Sequence, residues 1–257
     1  MASLKNTTIN DTGFIQMPSG TTAQRPASPV AGMLRYNTTT AYLEFYSGVS
    51  WQLIAGTGTI AAAANCTLYL DAGLSTSYPG TGTTWTDLSG NNNNFTIQNS
   101  STWAYDGTNK CFNMSGSGGI SGPNMMSSTN NTCVFIMKTT DDQSLFWGST
   151  GGSAYYLGAY SSGNPYYNGS VSVSSGLYMN TASIPNLYSY IRTGNWMMLE
   201  FKGVDFNSGA WPPLVFNQYG GFTFDNGSMA AILVYNKVLS ASESNQNKNY
   251  FGGRYGF

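Results

Sequence analysis

The closing segment, MAAILVYNKVLSASESNQNKNYFGGRYGF, runs from Met229 to Phe257 and decides the fold of most of the chain. Its first seven residues, Met229–Tyr235, are almost continuously apolar. Such a run is typical of a strand that is covered on both faces. In a two-layer sandwich only one of these faces meets the core, so we expect the residues that follow to cover the other face.

The residues after this strand carry a helix signal. Ser240 and Glu243 have the S-x-x-E spacing of a capping box. We expect the helix to run to about Asn249 and to stop before the Gly252-Gly253 pair. The aromatic tail after it should pack back on the sheet, with Arg254 held against a carboxylate or against backbone carbonyls.

Upstream of this segment, short apolar runs alternate with Gly, Ser and Asn turns. This spacing indicates an all-β sandwich or jelly roll. The predicted strands are Leu68–Leu70, Phe95–Gln98, Cys111–Met114, Cys133–Lys138, Ser144–Trp147, Ala154–Ala159, Ser170–Ser174, Trp196–Lys202, Gly221–Phe224 and Met229–Tyr235.

The first part of the chain is a smaller β-rich module. Three strand-like pieces, Met33–Tyr36, Tyr42–Tyr46 and Trp51–Ile54, predict a β-meander. So few large apolar residues cannot bury a good core alone, so the module needs a partner surface. The small-residue run Ala55–Asn65 predicts a linker, which divides the chain into 1–58 and 59–257.

Composition excludes several classes of function. Charged residues make up 8% of the chain and the net charge is -1, whereas an ordinary soluble domain has about 25% charged residues. Phosphate contacts need Lys and Arg, so we expect no nucleic-acid partner. We expect neither a membrane-binding basic face nor a membrane-spanning run. No apolar run follows Met1, so we expect no secretory signal and synthesis in a host cytoplasm.

Cysteine and histidine usage argues against a zinc site. The three cysteines, Cys66, Cys111 and Cys133, are far apart, and the chain has no histidine. We predict that all three are buried free thiols, as suits a reducing compartment.

The small module resembles a segment of phage tail-fibre, spike and other virion proteins. The resemblance lies in PSGTTAQRPASPVAGMLRYNT, Pro18 to Thr38, followed by Leu43, Glu44, Tyr46, Gly48 and Trp51. It implies work on a virus particle, in contact with other capsid or tail proteins.

The larger part resembles the laminin-G-like, concanavalin-A-like domains of phage and bacterial surface proteins. The matching motifs are W-x-D-x-S-G-N-x-N, from Trp85 to Asn93, and the Tyr235-Asn236 to Gly256 segment. The resemblance implies a two-sheet antiparallel jelly-roll sandwich with one short C-terminal helix. Ser244 replaces the apolar residue expected early in that helix, which predicts looser packing.

A calcium site at the rim is a further implication, because relatives bind calcium there through Asp, Asn and carbonyl oxygens. The candidate ligands are Asp71, Asp87, Asn91 and Asn93. The alternative interpretation is a structural turn, in which Asp and Asn side chains bond nearby backbone N–H groups.

The sequence offers little for catalysis. Without histidine, no His-dependent triad can form. Glycosidases need two carboxylates on either side of the sugar bond, and the three glutamates, Glu44, Glu200 and Glu243, are not paired in that way. We therefore expect no enzyme activity.

Carbohydrate binding is a separate candidate, because sugars bind to aromatic faces beside polar groups. Tyrosines and asparagines crowd one region, whose candidate residues are Tyr155, Tyr156, Tyr160, Asn164, Tyr166 and Tyr167. The alternative is that these tyrosines pack sheet faces or a subunit interface.

Together these patterns predict a structural protein on a virion surface: a short fibre, a spike head or a capsid decoration. The module 1–58 would attach it to the particle or assemble it as a homo-oligomer, most simply a trimer. The rival hypothesis is a host-attachment protein that binds a surface glycan.

Overall fold

The computed structural model divides the chain into two compact units, Met1–Gly58 and Thr59–Phe257. It describes residues 16–39, 42–53, 59–100, 102–115, 119–123, 129–141, 144–149, 156–159, 165–168, 172–185, 187–205, 214–216 and 226–257.

The described residues form nineteen strands and two α-helices. The strands are β1 Ser19–Gly20, β2 Leu34–Asn37, β3 Tyr42–Tyr46, β4 Trp51–Leu53, β5 Cys66–Asp71, β6 Thr84–Trp85, β7 Phe95–Ile97, β8 Trp103–Asp106, β9 Cys111–Met114, β10 Ile120–Gly122, β11 Asn131–Thr139, β12 Ser144–Ser149, β13 Tyr156–Ala159, β14 Pro165–Asn168, β15 Ser172–Met179, β16 Ala182–Ile184, β17 Met197–Asp205, β18 Leu214–Phe216 and β19 Gly227–Tyr235. The helices are α1 Tyr188–Ile191 and α2 Ala241–Tyr255.

The small unit is a single four-stranded sheet. Its order is β1-β2-β3-β4, and β2, β3 and β4 pair antiparallel as consecutive neighbours. This confirms the predicted β-meander. The short strand β1 was not predicted, and it pairs with β2 in parallel.

The large unit consists of two sheets, which confirms the predicted all-β class. One sheet has the order β14-β13-β12-β18-β10-β7-β6. The other, called here the large sheet, has the order β16-β15-β17-β11-β19-β9-β8, and β5 also pairs with β19. Strand β19 is long enough for β9 to pair with its first residues and β5 with its last.

The strands at the centre of the large sheet are buried on both faces. On β11, Phe135 and Met137 belong to the main core, whereas Val134 and Ile136 belong to a second apolar cluster with Tyr235. Helix α2 contributes Phe251 to this second cluster, and the partly buried side chains of Tyr250, Tyr255 and Phe257 pack against it. The prediction that the tail covers the outer face of β19 is therefore confirmed.

Helix α2 is longer than the sequence predicted. It begins after Ser240 with both halves of the expected capping box, but it continues through Gly252 and Gly253 to Tyr255. Each internal glycine costs about 1 kcal/mol of helix stability relative to alanine. Burial of Phe251 and the contacts of Arg254 described below offset that cost. The helix ends at Gly256, whose φ of 78° is the left-handed conformation common at helix C-termini.

Ser244 does not loosen the packing of α2, contrary to expectation. Its side chain is buried, and its Oγ donates to Glu200 Oε1 at 2.8 Å and accepts from Lys202 Nζ at 2.6 Å. A polar contact between α2 and β17 takes the place of the expected apolar one.

Local sequence signals predicted the bounds of most strands to within a few residues, but they missed several other strands. The unpredicted strands of the large unit are short or irregular in pattern: β6, β8, β10, β14, β16 and β18. The short helix α1 was also missed, and the predicted strand Gly221–Phe224 lies outside the described residues. None of the helices in the described ranges has the length and apolar character needed to cross a bilayer.

Candidate functional site

The tyrosine-rich candidate region lies on two paired strands of the smaller of the two sandwich sheets. Tyr156 is on β13, and Tyr166 and Tyr167 are on β14. Gly158 pairs with Tyr166, and Leu157 pairs with Tyr167. Tyr155, Tyr160 and Asn164 lie outside the described residues. Carbohydrate binding at these six residues stays a prediction.

Asp87 and its neighbouring asparagines form a hydrogen-bonded turn. The carboxylate of Asp87 accepts from the backbone N–H groups of Tyr69, Ser89 and Asn93, each at 2.9 Å, and from Ser89 Oγ at 2.7 Å. The Asn93 amide donates to Thr67 O, and the Asn91 amide donates to Cys66 O. This geometry agrees with the structural-turn alternative, since protein donors already occupy the Asp87 oxygens.

Asp71, the fourth candidate calcium ligand, is paired with Arg254. The two guanidinium nitrogens of Arg254 lie 3.0 Å and 2.6 Å from the two carboxylate oxygens. The Tyr69 hydroxyl and the Gly73 N–H also donate to this carboxylate. Burial, followed by the charge of Asp71, raises the pKa of the Tyr69 hydroxyl, which therefore stays a donor. Of the two partners predicted for Arg254, a carboxylate or backbone carbonyls, the structure has the carboxylate.

The described residues hold no cluster of three or more His, Cys, Asp or Glu side chains able to bind a metal ion. In addition, Asp71 and Asp87 bind separate sets of donors. Calcium at these residues would have to displace those donors, and its binding stays a prediction.

A cleft of about 440 Å³ lies at one end of the large sheet. Strands β9, β19 and β11 form its floor, because Asn113 pairs with Ser228 and Ser228 pairs with Lys138. These three side chains therefore form a row on the outer face, the face that α2 partly covers. The cleft is lined by Asn113, Met114, Ser115, Lys138, Thr139, Thr140, Gly194, Asn226, Gly227 and Ser228.

Aromatic rings extend the row of polar residues beyond Lys138. Trp196 precedes β17, and the neighbouring Met197 pairs with Met137 of β11. The ammonium of Lys138 lies 5.3 Å from the centre of the Trp196 ring. Trp196 in turn packs on Tyr255 at the end of α2, with ring centres 4.6 Å apart. One lysine therefore lines the cleft, and Trp196 and Tyr255 lie next to that lysine, outside the lining.

The walls of the cleft are fixed by hydrogen bonds. Ser228 Oγ donates to Asn113 Oδ1 at 2.8 Å. Thr139 Oγ1 donates to Asn226 O, and the Gly194 N–H donates to Thr139 O. At Gly194, whose φ is +69°, an added Cβ would lie 3.2 Å from the Thr140 methyl group. Glycine at this position therefore allows the left-handed backbone conformation and avoids a close contact with Thr140.

Sequence reasoning missed this cleft. Lys138 was predicted only as the last residue of a strand, and Trp196 only as the first residue of another. The single local signal was a lysine that ends an apolar run. The residues of the cleft come together only through strand pairing.

In an ordinary half-buried sheet the apolar face is buried and the polar face is exposed. In the small unit the charged side chains of Arg35 and Glu44 are buried, and the apolar side chains of the opposite face are the more exposed ones. Glu44 is fully buried and accepts from Arg25 Nη2 at 2.6 Å, from Arg35 Nη1 at 3.1 Å and from Asn37 Nδ2 at 3.0 Å. Burial alone would raise the pKa of Glu44, but the hydrogen bonds from Arg25 and Asn37 and the charges of both arginines hold it below its usual value. Trp51 lies against both guanidinium groups.

The opposite face of this small sheet carries apolar side chains. Leu34 pairs with Phe45, and Tyr36 pairs with Leu43. Leu34 and Tyr36 are 40% and 38% exposed, and Leu43 and Phe45 are half-buried. We call these four residues the open face of the small unit. Among the described residues, every large apolar side chain that is strongly exposed belongs to this unit.

The three glutamates all make structural contacts. Glu44 binds the two arginines, Glu243 caps α2 and pairs with Lys237, and Glu200 accepts from Ser244. Burial raises the pKa of Glu200, although the charge of Lys202 and the Ser244 hydroxyl oppose the shift. Absence of enzyme activity stays a prediction.

No family model matches the chain, and no curated protein matches it. Among solved structures, the botulinum neurotoxin serotype D binding domain is 11% identical over 72% of this chain and 52% of that one, with a TM-score of 0.46. A Trypanosoma rangeli sialidase in complex with sialic acid is 12% identical over 87% of this chain and 45% of that one, with a TM-score of 0.43. The chain thus spans about half the length of these structures. Scores below 0.5 are too low to assign a function.

Proposed function

We propose that this chain is a structural protein displayed on the surface of a virus particle, as a short fibre, a spike head or a capsid decoration. Residues 1–58 attach it, and the sandwich of residues 59–257 is the displayed part. The resemblance of Pro18 to Trp51 to phage virion proteins supports this location.

The open face of the small unit is the observation that carries the proposal. Four apolar side chains on one sheet face are partly exposed, Leu34 and Tyr36 the most, whereas Arg35 and Glu44 of the same sheet are buried. Exposed apolar patches mark interaction surfaces. A unit of this size also has little core of its own, so covering the open face would stabilise it.

The partner that best fits is a second copy of the same unit, because closed symmetric oligomers are the commonest way to bury one patch in every subunit. A trimer is the predicted state. Docking of the open face on another capsid or tail protein is the alternative arrangement within the same function.

Light scattering on the full-length protein tests this assignment. We expect an oligomer at micromolar concentration, and a monomer when Leu34 and Tyr36 are both changed to serine. Val49→Ser is the matched control, because Val49 is 88% exposed but lies in a turn outside the open face. It should leave the oligomer intact.

A monomeric parent protein that also fails to bind virus particles would contradict the proposal. Cosedimentation of a monomer with particles would instead identify another virion protein as the partner. Electron cryo-microscopy of particles would then separate tail from capsid positions.

The second candidate function is attachment to a host glycan, and the cleft beside Lys138 and Trp196 favours it. A purely structural decoration should bind no glycan. Screening the full-length protein on a glycan array discriminates the two, and release of reducing sugar from host polysaccharide would indicate an enzyme instead.

A further inference from the structure

We propose that the cleft at the end of the large sheet binds a carboxylated sugar, that is, a pyranose ring carrying an acidic group. The inference rests on the second candidate function, attachment to a host glycan, and names the class of glycan. All of the groups of the cleft lie in residues 59–257, so a negative result would leave the docking of residues 1–58 untouched.

The size and shape of the cleft suit a small ligand. Its volume of about 440 Å³ lies near the lower end of the range of roughly 300–1,000 Å³ for small-molecule sites. Such a volume suits one or two sugar rings rather than a long chain. Its hydrogen-bonded walls are formed before a ligand arrives, which lowers the entropy lost on binding.

The charge of the cleft favours an acid. Of the described residues that line it, Lys138 alone carries a charge. No carboxylate in the described part of the chain lies within ion-pair distance of its ammonium. The ammonium instead rests over the ring of Trp196, which leaves its charge available to an anionic ligand in a charge-assisted hydrogen bond.

The remaining groups favour a sugar over other anions. Trp196 and Tyr255 lie beside the lysine but outside the lining, so the ligand is recognised chiefly through its carboxylate and its hydroxyl groups. Ser115, Thr140 and Ser228 supply hydroxyl groups for ligand hydroxyls, and the hydrogen bond from Ser228 to Asn113 holds the Ser228 hydroxyl in place. A phosphate or sulfate ion could use the lysine and the hydroxyl donors, but it would fill only a small part of a cleft of about 440 Å³.

The site differs from the tyrosine-rich region of residues 155–167. That region belongs to the other sheet of the sandwich, on β13 and β14. Substitutions in the two places therefore separate the two sites.

Two matched ligands, methyl β-glucuronide and methyl β-glucoside, test the inference, because they differ only in the carboxylate. Both are titrated into full-length protein labelled with 15N, and the indole N–H signal of Trp196 is assigned with Trp196→Phe. We expect saturable shifts of this signal with the glucuronide, and at least about tenfold weaker binding of the glucoside, the fold-change that corresponds to about 1.4 kcal/mol. A sialic acid glycoside in a parallel titration distinguishes the two classes of acidic sugar.

Variants of the protein complete the test. Lys138→Met should weaken glucuronide binding at least about tenfold, whereas Lys248→Met removes a positive charge that does not line the cleft and should change nothing. Equal binding of glucoside and glucuronide, unchanged binding by Lys138→Met, or the same shifts with sodium acetate alone would each overturn the inference. So would the absence of any shift with both acidic sugars.

Discussion

Replacing Arg254 with methionine should destabilise the large unit strongly. Arg254 reaches from the last turn of α2 to Asp71 on β5 with two hydrogen bonds, and the Asp71 side chain is fully buried. Methionine keeps a long apolar side chain at this position, but the contacts of the guanidinium with the rings of Tyr250 and Phe251 are lost with the charge. The substitution therefore removes mainly the charge and its hydrogen bonds.

The expected loss in the free energy of unfolding depends on which hydrogen-bond donors the Asp71 carboxylate keeps in the variant. Removing one partner of a buried ion pair costs about 3–5 kcal/mol. Here the Arg254 side chain is 28% exposed, so water can reach part of the site, and the Tyr69 hydroxyl and the Gly73 N–H still donate. We therefore expect a loss of about 2–4 kcal/mol in the free energy of unfolding. For a protein of this size that corresponds to a fall in Tm of roughly 5–15 °C.

Urea denaturation of the full-length variant and its parent, followed by far-UV circular dichroism, measures the loss. The slope of the transition should stay the same, because the area exposed on unfolding is unchanged. Lys237→Met is the control. Lys237 precedes α2 and pairs with Glu243 in the first turn of that helix at 2.8 Å, but its side chain is 37% exposed. Removing that surface pair should cost less than about 1 kcal/mol. An Arg254→Met protein no less stable than the control would refute the reasoning.

Two further predictions concern buried titratable groups. Because burial raises the pKa of Glu200 in the folded state, its contribution to stability is complete below the ordinary value of 4.5 and is lost as pH rises through the folded pKa. The stability of the parent relative to Glu200→Gln, measured by urea denaturation at a series of pH values, should therefore fall as the pH rises above 4.5, and a constant difference would contradict this. Burial raises the pKa of Cys66 to about 12 and that of Cys111 to about 11, and it also raises the pKa of Cys133; all three thiols are free and buried in the structure. They should react slowly with a thiol reagent in the native protein and completely in denaturant, and rapid native labelling or a disulfide found by mass spectrometry would be evidence against this.

Several elements of the fold could be predicted because their signals are local. The apolar run Met229–Tyr235 marks a strand buried on both faces, and the Ser240–Glu243 spacing marks the start of α2. Both depend on residues a few positions apart, which is the range over which side-chain periodicity and capping act. The same is true of the strand Tyr42–Tyr46, whose bounds the structure reproduces.

The end of α2 could not be predicted, because distant contacts decide it. Two glycines in sequence argue for a stop, yet Phe251 and Arg254 hold the helix together through residues of other elements. An added Cβ at Gly252 would lie 2.7 Å from the backbone oxygen of Phe257. Glycine at this position therefore allows the chain end to fold back closely on the helix.

The sequence by itself determined the all-β class, most of the longer strands, and the need of Arg254 for a carboxylate or backbone carbonyls as its partner. Only the tertiary structure decided that this carboxylate is Asp71, which lies 183 positions earlier. It likewise decided that Lys138, Ser228 and Asn113 share one row, and that the apolar face of the small sheet is the open one. Alternation along a strand shows which residues share a face, but the pairing of distant strands decides what each face meets.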